Sequence, residues 1–66
     1  MRVYGFVMRN PKGNYELSWA LGKEPKKPSS KEGSVVLEHN GEYDSTADFK
    51  AVIVEMCKAR GIPYGG

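Results

Sequence analysis

Ser45-Thr46-Ala47-Asp48-Phe49-Lys50-Ala51-Val52-Ile53-Val54-Glu55-Met56-Cys57-Lys58-Ala59-Arg60-Gly61 is the stretch that decides the fold. Phe49, Val52, Ile53, Met56 and Cys57 recur at three- and four-residue spacing, which gathers them on one stripe of a helix and leaves Lys50, Glu55 and Lys58 opposite. Both ends are punctuated. Ser45 can accept a hydrogen bond from the amide three residues on, with Asp44 as the alternative cap, and Asp48 stands in the first turn, where the helix dipole favours a carboxylate. Gly61 suits a left-handed cap, Ile62 can fold back onto Met56 or Cys57, and Pro63 stops the helix from resuming. An amphipathic helix over residues 45–60 must lay its stripe on another element, and the rest of the chain supplies strands.

The clearest strand covers residues 15–21, where Tyr15, Leu17, Trp19 and Leu21 alternate with Glu16, Ser18 and Ala20. Residues 2–8 read as a second strand with both faces partly covered, because Tyr4, Phe6 and Met8 lie on one side and Val3 and Val7 on the other. Gly5 in its middle marks a bulge or a close approach by another group. Asn10-Pro11-Lys12-Gly13-Asn14 between them holds every strong turn former, so the two runs form an antiparallel hairpin. A third strand runs through Val35, Val36 and Leu37 to His39. Asn40-Gly41 then signals a tight turn, after which Glu42 and Tyr43 either pair back or lead to the helix. Residues 22–33 carry two prolines, four lysines and no large apolar side chain, and are expected to form a flexible solvated loop that adds nothing to the core.

The fold class is therefore α+β: a three-stranded antiparallel sheet in β-β-β-α order, expected as a meander, with one C-terminal helix packed on one face. One domain is expected over residues 1–66, with a short tail at 62–66. Its core is thin, since a chain of this length buries only roughly 60% of its unfolded surface. Cys57 is the one cysteine, so neither an internal disulfide nor a cysteine-rich zinc site is available. No apolar run reaches the length of a signal-peptide core, and the expected location is the cytoplasm, away from membranes.

Ten Lys and Arg face eight Asp and Glu, and the distribution says more than the net charge of +2. The positive charges gather ahead of the helix, while Glu38, Glu42, Asp44 and Asp48 cluster just before and within it. His39 lacks an evident catalytic partner, Cys57 sits on the apolar stripe, and the acidic cluster matches no calcium loop, so no catalytic residue, metal or cofactor is expected. The candidate contacts are Arg2, Arg9, Lys12, Lys23, Lys26, Lys27 and Lys31 for phosphates, with Tyr15 and Trp19 for stacking, in a non-enzymatic module that binds nucleic acid. The alternative is a protein partner, as for a small accessory or inhibitor protein of a virus or mobile element. Val54 and Ala51, on the outer side of the helix, would extend such a surface or support a homodimer.

Three resemblances attach to particular residues. Tyr64-Gly65-Gly66 is similar to the ending of ubiquitin-like sulfur carriers, but Gly61-Ile62-Pro63 stands where that family has a strand. Residues 46–53 resemble the first helix of the ribonuclease H fold, with Asp48 at the catalytic carboxylate. The first-strand aspartate that shares the metal in that family has no counterpart in residues 2–8. The element order also resembles the DNA-binding domains of tyrosine integrases and plant AP2 factors, which implies a sheet laid in the major groove.

Overall fold

The computed structural model describes residues 1–65; Gly66, the end of the Gly-Gly tail, lies outside the described residues. Three strands and one helix follow in the expected order: β1 (Arg2–Arg9), β2 (Tyr15–Leu21), β3 (Ser34–Glu42) and α1 (Thr46–Ala59). The β1–β2 hairpin closes through Asn10, whose Oδ1 accepts from the amides of Lys12 and Asn14, while Gly13 takes a φ of 88°.

The sheet order is β2-β1-β3, so β1 is central and the expected meander is not formed. β3 pairs antiparallel with β1 rather than with β2. The physical reason lies in β1 itself. Its side chains are apolar on both faces, and only a central strand has both faces and both edges covered. Asn40-Gly41 is not a turn either, because β3 continues through it, with Tyr4 opposite Asn40 and Val3 opposite Gly41. Gly41 is needed for space: a Cβ there would lie 3.0 Å from the Tyr43 ring.

On one face Val3 and Val7 of β1 and Leu37 of β3 meet Phe49, Ile53 and Cys57 of α1. Phe49 sits directly over Gly5, whose missing Cβ would stand 2.7 Å from the ring. Full burial of such a side chain contributes about 1.5–3 kcal/mol, so this stripe dominates the stability of a chain of this size. The ends of α1 follow the local grammar. Ser45 Oγ accepts from the Asp48 amide at 3.2 Å, Gly61 takes a φ of 72°, and the Ile62 amide donates to the Cys57 carbonyl at 2.9 Å.

The opposite face is not bare. Phe6 points away from α1, yet it is only 2% exposed. Clefts on either side of it are lined by Glu24, Pro25 and Lys27 and by Lys26, Pro28 and Glu32. Residues 22–33 therefore cross the sheet from the end of β2 to the start of β3 and roof Phe6, contrary to the expectation that they contribute nothing to burial. The crossover ends in a turn in which Ser29 O accepts from the amides of Glu32 and Gly33, and Glu32 Oε1 accepts from the Ser29 amide.

Candidate functional site

The nine contact residues expected from the sequence divide between the two faces. Strand register places Tyr15 and Trp19 on the helix side, opposite Arg9 and Gly5 of β1. Tyr15 packs against the core, and Trp19 is 37% exposed with Lys50 Nζ 5.4 Å from its ring centre. Lys26 and Lys27 line the clefts of the crossover above the other face, and Lys23 and Lys31 are exposed near the two ends of the crossover. No single surface joins the lysines to the two aromatics. On the crossover face Tyr4 carries the Arg2 guanidinium 5.8 Å from its ring centre.

At the far end of the sheet Arg9, Asn10 and Pro11 line a cleft together with Ser30, Gly33 and Ser34, which brings the second half of the crossover beside the hairpin turn. Lys12 projects from that turn and is exposed. Arg9 and Lys12 thus stand at the same end as Ser30 and Lys31, whereas Arg2 and Lys23 stand at the end where β1 begins and β2 finishes.

Ion pairing sorts these charges. Lys27 is held by Glu38, and that hydrogen bond and charge raise the lysine above its ordinary pKa. Glu32 is pushed below the usual carboxylate range by the Ser29 amide and hydroxyl. Glu42 meets the Met1 ammonium at 3.4 Å, and Arg2 donates to Asn40 Oδ1 at 2.6 Å. Among the described residues, Arg9, Lys12, Lys23, Lys26 and Lys31 form no ion pair. Most of the acids near the crossover are occupied, and most of its cations are free.

His39 and Tyr43 are a pair that the sequence reading did not single out. His39 Nε2 and Tyr43 Oη share a hydrogen bond of 2.6 Å, and both rings contact Phe49, stacked for His39 and edge-on for Tyr43. Tyr43 two residues beyond Gly41 was the available signal, since a glycine in a strand marks a place where another group lies close. Among the described residues no nucleophile or carboxylate is hydrogen-bonded to the two side chains. Cys57 is fully buried, and burial pushes its thiol up, which favours the unreactive protonated form. Asp48 is exposed and its amide is held by the helix cap. No group of three or more potential metal ligands occurs among the described residues, and no helix there is long and apolar enough to cross a membrane.

Two apolar surfaces remain. Ala51, Val52, Met56 and Ala59 form a shallow patch on α1, bordered by Glu55 and Arg60. Ala51 is exposed, but Val54 is half-buried rather than outward. The second surface is β2, where Trp19 and Leu21, at 37% and 51% exposed, stand beside the outer edge of the sheet. No protein-family model matches the chain, and no curated protein or solved structure shows significant similarity to it.

Proposed function

We propose that this chain is a small non-enzymatic binding domain of the cytoplasm that contacts the phosphate backbone of a nucleic acid through the crossover side of its sheet. The observation that carries this reading is the set of unpaired cations there: Lys23, Lys26 and Lys31 of the crossover and Lys12 of the neighbouring turn form no ion pair among the described residues, while Glu38 and Glu42 are paired with Lys27 and the Met1 ammonium, and Glu24 is the one crossover carboxylate with neither an ion pair nor a hydrogen bond there. A positive charge already neutralised within the protein releases no counterion from nucleic acid, so only free cations drive association. Tyr15 and Trp19 lie on the other face, which makes the contact one of charge with little base stacking.

Such an interaction is weak, insensitive to sequence and steeply dependent on salt. If three to five phosphates are neutralised, log K should fall with log salt with a slope of about −3 to −4.5 on duplex DNA. Fluorescence anisotropy of end-labelled single-stranded and duplex oligonucleotides tests this across ionic strength. Trp19 emission is a poor reporter because it faces away. Changing Lys26 or Lys31 to Ala should each reduce the slope by about one. Absence of binding to DNA and RNA at low salt removes the reading, as does a slope indifferent to these lysines.

A protein partner is the second reading, and the exposed Trp19 and Leu21 favour it. An accessory or inhibitor role would then use β2, and binding would persist at high salt, since apolar contact is not screened.

A further inference from the structure

The two edges of the sheet are built differently. Across β1 and β2 the bonded pairs include Gly22 N to Arg2 O at 2.9 Å and Asn10 N to Asn14 O at 2.8 Å. Bonded and non-bonded pairs alternate in an antiparallel ladder, so Glu16, Ser18 and Ala20 turn their backbone groups to β1, and Tyr15, Leu17, Trp19 and Leu21 turn theirs outward. No backbone group of these four has an intramolecular partner on that side among the described residues. β2 holds no proline, no bulge and no lysine, the usual devices that keep an open edge from pairing. β3 is guarded. The register shift opposite Val7 and Met8 leaves Val36 unpaired as a bulge, and Glu38 and Glu42 flank its outer edge.

We infer that β2 pairs with β2 of a second copy, antiparallel and centred on Ser18, to make one six-stranded sheet. In this register Tyr15 faces Leu21 and Leu17 faces Trp19, so every outward amide and carbonyl of the four finds a partner. The same pairing puts apolar side chain against apolar side chain on the helix face, where Trp19 and Leu21 are now exposed. On the other face Glu16 meets Ala20, and no like charges oppose one another across the junction. The two helices then share one face and the two crossovers the other. This inference does not rest on the nucleic-acid reading, although it would place both sets of free lysines on one surface.

Ser18 meets its own copy as a non-bonded pair, where Cα atoms stand about 4.5 Å apart, a spacing a disulfide can span. Ser18→Cys chain under mild oxidation with copper–phenanthroline should become a covalent dimer, while Ala20→Cys, which would face Glu16, should remain largely monomeric. Cys57 is fully buried and silent in both. Sedimentation velocity of the unmodified chain, from about micromolar to about millimolar, should show a dimer filling with concentration. Trp19→Lys and Leu21→Lys should each shift the midpoint at least tenfold upward with unchanged circular dichroism. A monomer throughout that range overturns the inference, and so does equal cross-linking of Ser18→Cys and Ala20→Cys. Oligonucleotide binding by a monomer would leave the proposed function standing alone. A dimer that binds no oligonucleotide would do the reverse.

Discussion

The two faces of this sheet share β1 but are covered by unlike materials. On one side a capped fourteen-residue helix brings Phe49, Ile53 and Cys57 onto Val3, Val7 and Leu37. On the other, a run of prolines and lysines covers Phe6 alone to the same degree of burial. The helix satisfies its own backbone and presents a continuous apolar stripe, so its side of the sheet supports the fold. The crossover has little apolar surface to offer, and it leaves its charged groups in water. Burial of one residue is therefore compatible with a surface available for binding, because the Pro25 and Pro28 rings and the lysine stems can cover a ring while the ammonium groups stay solvated.

Three substitutions rank the faces. Phe49→Ala should cost about 3–5 kcal/mol in a urea melt, most of the stability expected of so small a domain, because the emptied space lies between rigid helix and sheet above Gly5. Phe6→Ala deletes the same side chain but should cost less, about 3 kcal/mol at the low end of that range, since the crossover can settle into the gap. Equal losses would break the contrast between a rigid and a yielding cover. The smallest effect belongs to Lys27→Gln. Glu38 raises the lysine, so the pair contributes fully below the ordinary lysine pKa and is lost as pH rises through the raised one. Melts of the parent and Lys27→Gln should differ slightly at neutral pH and converge only once the pH has passed the raised lysine value, above the ordinary 10.5. A difference that persists in alkali would mean the lysine stem, not its charge, holds the crossover down.

Much of this architecture was readable one element at a time. The Ser45 cap, the 49-53-57 stripe and the Gly61 stop define α1 because helix grammar is local. Tyr15–Leu21 was equally plain, since a half-buried strand alternates. The sheet order was encoded in β1, whose apolar residues on both sides fit a central strand, but adjacency along the chain favoured a meander. Asn40-Gly41 misled for a related reason. The pair is a turn signal in isolation, and only the long-range partner Tyr4 and the Tyr43 ring explain why the strand runs through it. The division of the candidate contacts was hidden too, because the side to which Trp19 points depends on register, and the pairing of Lys27 with Glu38 depends on where the crossover lies.

The central position of β1 also bears on how the molecule is assembled. β2 reaches β1 across a five-residue turn, but β3 must return to it over the whole crossover, and α1 has no complete sheet to dock on until that return is made. The first strand in chain order is thus among the last to have all its neighbours. A folding intermediate in which β3 has not yet returned would carry Val3 and Val7 without Leu37 or a docked helix, its apolar central strand open to water.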